Sequence, residues 1–294
     1  MKLFLQNLIL FLFFLALYFG AIYFINYKKY SNQKTSFDTN VLVIGDSHLQ
    51  FALNPNLFYS CSNVCQPAEP YVLTYWKLKK LLKDNIPDTL IIGFGVHNLS
   101  AFNDYKYISK EFAQTMFQRS YTIEEFHTLK KIKINWIEYY KFLFMRMCIS
   151  PKENHIYYIG KYENTKKSNL KIQGADGTIK RHYYLNNKRI GISSIALDYL
   201  DSILNLCAKK GVKPILVSSP VYKSYFNKIP INHQKKFDEI KRKLTARGIF
   251  VIDKTNVYFP DYSFFQCDHL NEIGAERFTR EIIQEISQKP KRAS

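Results

Sequence analysis

The stretch VLVIGDSH, residues 41 to 48, decides the fold of this chain. Its first half, Val41 to Ile44, is apolar at every position, which is typical of a strand buried on both faces of a parallel sheet. Its second half, Gly45 to His48, is small and polar, as turns are. We therefore predict a buried strand, a turn, and a helix that begins near Ser47.

Short apolar runs and amphipathic segments alternate along the rest of the chain. Further strands are predicted at residues 89–94, 214–217 and 249–252, and helices at about 75–83, 193–210, 234–247 and from 272 past 283. Gly211 and Gly248 follow two of these helices, and a left-handed glycine commonly ends a helix. Strands that are apolar on both faces and separated by helices imply an α/β fold with a mainly parallel sheet covered on two sides.

The start of the chain contains a long uncharged segment. No charged residue occurs between Lys2 and Lys28, and residues 8–25 are apolar throughout. A helix of this length crosses a hydrocarbon core of roughly 30 Å, and the segment is longer than the apolar part of a cleaved signal peptide. We predict a retained transmembrane anchor at 1–28, a connector at 29–40 and an enzyme-like domain at 41–294. Charge alone does not fix the orientation of the anchor, because lysines flank both of its ends.

Residues 100–190 break the alternation, because this interval is long, aromatic and basic. We interpret it as a helical or irregular insertion over the functional site. An ordinary packed helical segment without a role in substrate binding is the alternative.

Composition limits the classes of partner. The formal net charge is +18, which attracts the phosphates of nucleic acid or anionic lipid. The lysines are scattered and no basic block is interleaved with aromatic residues, so nucleic acid is not an expected partner. The five cysteines have no metal-ligand spacing, and we expect neither a metal nor a cofactor. A disulfide between Cys61 and Cys65 remains open.

Polar residues that suit catalysis follow the predicted strands. Ser47 stands at the end of a strand and the start of a helix, where backbone N–H groups favour an oxyanion. His97-Asn98 and Ser218-Ser219 fall at the same edge of the sheet, where active sites of parallel sheets lie. Near the other end of the chain, Asp268-His269 precedes a helix and supplies a candidate base with an acid beside it. We expect Asp46 to hold the turn by a local hydrogen bond.

These motifs resemble the SGNH/GDSL hydrolase family, and more narrowly its membrane-anchored members that modify cell-envelope polymers, such as alginate O-acetylation and D-alanyl-lipoteichoic acid biosynthesis proteins. The resemblance is carried by GDSH at 45–48, by GFGVHN at 93–98, and by DHLN at 268–271 followed by Gly274. It implies a three-layer α/β/α flavodoxin-like fold. It also implies that Ser47 is the nucleophile and lends its N–H to the oxyanion hole, and that His269 is the general base.

The resemblance also suggests how the substrate oxygen is bound. Asn98 takes the role of the asparagine that donates to the oxyanion, and His97 is a candidate donor to the substrate. The family's second block supplies a glycine N–H, but this chain has none there, so the backbone of Cys65 or Gln66 is the candidate donor.

The candidate acid departs from the family pattern. The family places its acid three residues before the histidine, where this chain has Gln266, so Asp268 is the candidate here. Neighbouring side chains diverge, and whether Asp268 reaches the imidazole is open at this stage.

The resemblance implies serine-dependent O-acyl transfer or ester hydrolysis, with acetyl as the expected group, on an extracytoplasmic polysaccharide or cell-envelope polymer. The expected partners are an acyl donor, a glycan or envelope-polymer acceptor, the membrane through residues 3–27, and, as a candidate, a membrane-bound acyltransferase. A single-pass protein with its catalytic domain outside the cytoplasm is expected. The alternative, motivated by Gln266, is a catalytically degenerate binding or assembly protein of a polysaccharide system.

Overall fold

A computed structural model describes residues 1–32, 37–149, 158–166 and 175–288 of the chain. The helices are α1 (Lys2–Ser31), α2 (Ser47–Ala52), α3 (Tyr71–Asp84), α4 (Phe102–Tyr105), α5 (Lys110–Ser120), α6 (Phe126–Lys131), α7 (Trp136–Cys148), α8 (Asp176–Tyr183), α9 (Ser194–Lys210), α10 (Lys223–Phe226), α11 (Ile231–Ala246) and α12 (Glu272–Gln288). The strands are β1 (Val41–Ile44), β2 (Cys61–Asn63), β3 (Thr89–Gly93), β4 (Tyr184–Leu185), β5 (Lys188–Arg189), β6 (Lys213–Ser218), β7 (Phe250–Asp253), β8 (Phe264–Gln266) and β9 (His269–Leu270). The four strands predicted from apolar runs are thus confirmed, with ends that differ by at most one residue.

The central sheet has five parallel strands in the order β2-β1-β3-β6-β7. This order confirms the predicted α/β fold with a flavodoxin-like sheet. The chain reverses its direction of travel across the sheet between β1 and β3, and such a switch point leaves a crevice at the carboxyl ends of the two strands. Residues that follow β1 and β3 therefore meet there.

Both faces of the sheet are buried, as the apolar strands predict. Successive side chains of a strand point to opposite faces. On one face, Val43 and Ile91 pack with α2 and α12 in a core that includes Leu49 and Phe278. On the other face, Leu42, Ile44, Leu90, Ile92 and Leu216 are at most 3% exposed, and α3 and α9 pack against each other there.

The chain forms two compact units. Among the described residues, the helical unit contains 1–32, 106–149 and 158, and the sheet unit contains 37–105, 159–166 and 175–288. Residues 106–149 of the predicted insertion accordingly share a unit with α1, while 159–166 and 175–190 belong to the sheet unit. Helix α1 continues to Ser31, three residues into the predicted connector.

A buried ion pair supports the loop beside the first strand. Lys77 of α3 and Glu69 have fully buried side chains, with the Lys77 Nζ 2.5 Å from the Glu69 Oε2. Lys77 Nζ also donates to the Val64 carbonyl at 2.7 Å, next to Cys65, whose sulfur lies near Gly45. Two buried charges are tolerated because each satisfies the other.

We predict that Lys77→Met lowers the free energy of unfolding by about 3 to 5 kcal/mol, because it leaves the Glu69 carboxylate buried without its cation. The double variant Lys77→Met/Glu69→Leu removes both charges and is expected to recover most of the loss. Denaturant unfolding followed by circular dichroism measures both values. A single variant as stable as the unaltered chain would contradict the prediction.

Candidate active site

The candidate nucleophile and base meet in the sheet unit. Ser47 is the first residue of α2, directly after β1, and its Oγ lies 2.8 Å from the His269 Nε2. The turn before it passes close to β3: Gly45 has φ +149°, and an added Cβ would lie 3.1 Å from the Gly93 nitrogen. Only glycine fits this turn without strain, and the turn brings the serine to the crevice between β1 and β3.

The other ring nitrogen of His269 faces two oxygens. Its Nδ1 is 2.9 Å from the Gln266 Oε1 and 3.0 Å from the Asp268 Oδ1. Gln266 comes within reach because β8 and β9 pair antiparallel with Gln266 opposite His269. If Nε2 accepts the serine proton, Nδ1 must carry a hydrogen, which these oxygens accept. The question left open by the sequence is answered, since Asp268 does reach the imidazole.

Asp268 is ionised in this position. Burial alone would raise its pKa, but the charge and hydrogen bond of His269, together with His48, hold the pKa well below its usual value. The carboxylate is 1% exposed. A buried anion beside Nδ1 stabilises the imidazolium that forms when His269 takes a proton.

Asp46 organises the turn after β1 and the turn after β3. Its Oδ1 accepts the His48 N–H at 3.0 Å, which confirms the expected local hydrogen bond. Its Oδ2 accepts from the Asn98 Nδ2 at 2.8 Å and lies 2.7 Å from the His97 Nε2. The Asn98 Oδ1 in turn accepts the Gly95 N–H at 2.7 Å. One carboxylate thus fixes the positions of the nucleophile turn, His97 and Asn98 together.

The candidate oxyanion donors differ in availability. Ser47 N–H belongs to the first turn of α2, where amides have no acceptor within the helix. The Asn98 amide has a second hydrogen besides the one given to Asp46. By contrast, the Cys65 N–H donates to the Asn63 Oδ1 and the Gln66 N–H to the Gly45 carbonyl. Neither of these two amides is available to a substrate here, so the sequence expectation for them is corrected.

A histidine stack, defined as His48, His97 and His182, lies beside these groups. The ring centroids of His48 and His97 are 3.8 Å apart at an interplanar angle of 21°, and those of His97 and His182 are 5.2 Å apart at 26°. The His182 Nδ1 is 2.6 Å from the Tyr225 hydroxyl oxygen. Of these three histidines, the sequence indicated only His97 as a candidate substrate contact, because ring stacking depends on segments that are far apart in the chain.

The histidines of the stack have different charge preferences. Burial lowers the pKa of His97 to about 4, helped by the His48 charge, and burial also lowers that of His182. For His48, burial is outweighed by Asp268 and Asp46, which raise its pKa. The His48 Nε2 lies 3.6 Å from the Asp268 Oδ2, too long for a hydrogen bond, so the contact is electrostatic. Of the three histidines in the stack, His48 is therefore the one that most readily takes up a proton and becomes positively charged.

A pocket in the sheet unit shares residues with this site. It is lined by His48, His97 and Asn98, by Ser218 and Ser219 at the end of β6, and by Tyr225. The serine pair thus lies in the pocket wall, at the sheet edge where the sequence places it. All five cysteines are free thiols, so Cys61 and Cys65 form no disulfide in the structure.

Three of the residues also have the types that bind metals. Ligand atoms of His48, Asp268 and His269 lie within 4.8 Å of one another. A cation bound through the His269 Nδ1 would replace its contacts with Gln266 and Asp268. Without a cation, the Asp268 Oδ1 faces the His269 Nδ1 at 3.0 Å and the Asp268 Oδ2 faces the His48 Nε2 at 3.6 Å.

No protein-family model and no curated protein sequence matches the chain. Solved structures with a similar fold include a GDSL-like lipase from Bacteroides thetaiotaomicron, with 13% identity, a TM-score of 0.44 and coverage of 90% of this chain and 98% of the other. A lipase/acylhydrolase from Enterococcus faecalis has 16% identity and a TM-score of 0.39, over 86% of this chain and 100% of the other. An acetyl xylan esterase from the rumen bacterium Butyrivibrio proteoclasticus has 10% identity and a TM-score of 0.34, over 86% and 64%. The roles of the site residues rest on the distances within this chain.

Two side chains face the His269 Nδ1, and we predict that catalysis depends on the Asp268 carboxylate rather than on the Gln266 amide. Asp268→Asn is expected to lower kcat by roughly 10³- to 10⁴-fold, because an amide cannot stabilise the imidazolium as a carboxylate does. Gln266→Ala removes a neutral acceptor and is expected to cost roughly 10-fold or less, the scale of one neutral hydrogen bond. Hydrolysis of 4-nitrophenyl acetate measures both, and a larger loss in Gln266→Ala would reverse the assignment.

The low pKa of His97 predicts a pH dependence of stability. Between its ordinary value of 6.5 and about 4, the unfolded chain binds a proton at this residue that the folded chain does not, so stability falls as the pH falls. His97→Gln keeps a donor for Asp46 but removes this titration, and is expected to lose less stability over the same range. His127→Gln, at an exposed position of α6, is the control and should follow the unaltered chain. Urea unfolding at pH 6.5 and 4 provides the comparison, and equal losses would refute it.

Proposed function

We propose that this chain is a serine-dependent esterase or O-acyltransferase of the SGNH/GDSL kind that forms an acyl-enzyme on Ser47. The observation that carries the proposal is the 2.8 Å contact between the Ser47 Oγ and the His269 Nε2. The two residues lie 222 positions apart in the sequence, and a buried carboxylate lies at the far nitrogen of the imidazole. A nucleophile, a base and an orienting acid in this order form the arrangement of serine acyl transfer.

The geometry supports a two-step reaction. As the Ser47 Oγ attacks the ester carbonyl, the His269 Nε2 takes its proton, and the negative oxygen forms within reach of the Ser47 N–H and the second Asn98 hydrogen. The tetrahedral intermediate then expels the alcohol, which receives the proton from His269. In the second step, His269 takes a proton from water or a sugar hydroxyl, and this oxygen attacks the acyl-enzyme. The acyl group leaves Ser47, which regains its proton.

The proposed location is a membrane with the catalytic unit outside the cytoplasm. Helix α1 has a mean hydropathy of 2.6 over its most apolar window, and none of that window is buried in the protein. Its length and composition allow it to cross a bilayer. We propose an acetylated polysaccharide or other cell-envelope polymer as the substrate, with an acyl donor and a membrane-bound acyltransferase as partners. A tethered enzyme close to a polymer acceptor favours transfer over hydrolysis.

A second candidate is a non-catalytic protein that keeps the fold and binds a polysaccharide. Its motivation is the glutamine in the family's acid position. The carboxylate of Asp268 at 3.0 Å from the His269 Nδ1 favours the enzyme instead, because it offers the missing acid from a neighbouring position.

The test is covalent labelling of the full chain in detergent with a fluorophosphonate, which reacts with activated serines. We expect labelling of the unaltered chain, no labelling of Ser47→Ala, and a decrease in His269→Ala. Ser287→Ala, an exposed serine near the end of α12, is the matched control and should label normally. A chelator such as EDTA should leave the signal unchanged, since the proposed step uses no metal. Labelling that survives Ser47→Ala would end the nucleophile assignment.

A further inference from the structure

Helix α1 has two parts with different surroundings. Every residue from Lys2 to Tyr18 is exposed, and this part is about 26 Å long at a rise of 1.5 Å per residue. From Phe19 onward one face is covered: Phe19 and Ile22 are partly buried, and Asn26 and Tyr30 are buried. These four residues are three or four positions apart and share a face. The first part is free for lipid, and the second belongs to the packed helical unit.

The covered part of α1 packs against α7. The buried Asn26 Nδ2 donates to the carbonyls of Arg146 and Ile149 at 2.5 and 2.9 Å, at the end of α7, where carbonyls have no partner within the helix. The rings of Phe19 and Phe144 are 6.2 Å apart. The end of α7 therefore lies beside the covered part of α1, and Phe144 contacts this part where the lipid-facing part ends.

Helix α7 exposes an apolar face. Ile137, Tyr140 and Phe144, which we call the α7 stripe, are 79%, 57% and 56% exposed, and their spacing of three and four residues places them on one side of the helix. Met145 and Ile149, near the end of the helix, are also exposed, at 45% and 53%. The opposite face, with Tyr139 and Phe142, is buried in the helical unit. Large apolar side chains clustered in this way mark an interaction surface.

The helical unit that carries the stripe is positively charged. The described part of the helical unit has eleven Lys and Arg residues against four Glu and no Asp. Lys28 and Lys29 lie in the last turn of α1, Lys130 and Lys131 in the last turn of α6, and Lys141 in α7. Of the four acids, Glu138 is buried and accepts from Gln114. This balance is complementary to anionic lipid headgroups.

We propose that the α7 stripe, aided by the positive charge of the helical unit, docks onto the surface of an anionic lipid membrane, so that α7 lies in the interface of the bilayer that α1 spans. The stripe is continuous with the lipid-facing part of α1 through the Phe19–Phe144 contact, which favours lipid over a separate protein partner. Tyr140 and the neighbouring Trp136 are the residue types enriched at membrane interfaces. The inference rests on the proposed membrane span of α1 and goes beyond it, because it assigns a second, peripheral contact.

The chain offers an internal reporter for this contact, because it has two tryptophans. Trp136 begins α7, whereas Trp76 is 1% exposed in the core of the sheet unit. The full chain is reconstituted into phosphatidylcholine vesicles with and without phosphatidylglycerol, in which part of the lipid carries bromine near the headgroup end of the acyl chain. The Trp136 emission is obtained by subtracting the fluorescence of Trp136→Phe from that of the unaltered chain. We expect bromolipid to quench this difference signal, more strongly with phosphatidylglycerol, and to leave the Trp76 signal of the variant unquenched.

Two charge variants separate docking from general electrostatics. Lys131→Glu/Lys141→Glu should weaken the quenching that depends on phosphatidylglycerol. The control pair Lys209→Glu/Lys210→Glu, at the end of α9, changes the net charge by the same amount and should leave this quenching unchanged. Equal effects of the two pairs would overturn the proposal.

The remaining outcomes distinguish this inference from the proposed function. If an alkaline carbonate wash removes the chain from the vesicles, the membrane span itself fails. If the chain stays inserted and Trp136 is not quenched in either lipid, docking fails and the span stands. Absence of quenching together with sedimentation as a dimer would assign the stripe to a second copy of the chain. Fluorophosphonate labelling of Ser47 is independent of all these outcomes.

Discussion

The site depends on one constraint, the close parallel pairing of β1 with β3. It forces the two strands to end side by side, with Gly45 and Gly93 in near contact, and leaves space for a single carboxylate between the turns that follow. Asp46 occupies this space and is hydrogen-bonded to the backbone of one turn and to the Asn98 side chain of the other. Because one anion bridges both turns, Ser47 and Asn98, the candidate nucleophile and oxyanion donor, have a fixed relation before any substrate binds, and such preorganisation is what electrostatic catalysis requires.

Much of the sheet could be predicted from the sequence, because a strand buried on two faces must be apolar at every position. Val41 to Ile44 is apolar at all four positions and was therefore predicted as a strand. Strand β2 (Cys61–Asn63) is short and polar, and its place at the edge of the sheet was not predicted. The reach of Asp268 could not be judged from adjacency, since it depends on how the β8–β9 pair turns the imidazole. The histidine stack could not be predicted either. His48 and His182 are 134 positions apart in the sequence, and no local pattern indicates that their ring centroids lie 6.3 Å apart. Side chains that meet through tertiary contacts carry no signal in a single sequence.

Two buried carboxylates serve the site in different ways. Asp46 binds neutral donors, since the pKa of His97 is lowered, and its role is to position. Asp268 lies between the His269 ring and His48, so its charge is shared between the base and a second imidazole. Asp268 is sheltered from solvent, and a water molecule in its place would not supply the negative charge beside the two imidazole rings. Compared with the family that the motifs resemble, the carboxylate of this chain stands two residues later in the sequence, at Asp268, and the carboxamide of Gln266 occupies the position three residues before the histidine.

The hydrogen bonds from Asn26 to the carbonyls at the end of α7 give α1 a structural role inside the helical unit, in addition to the proposed membrane span. A leader that only directs export can be cut away after use, because the mature protein does not need it. Helix α1, by contrast, supplies one wall of a small hydrophobic core, where its Tyr30 packs edge-on to Tyr121 at a ring distance of 5.0 Å. A soluble form made by deleting this helix would leave α5 and α7 with an open side, so that solubility gained by truncation would be offset by a surface prone to aggregation.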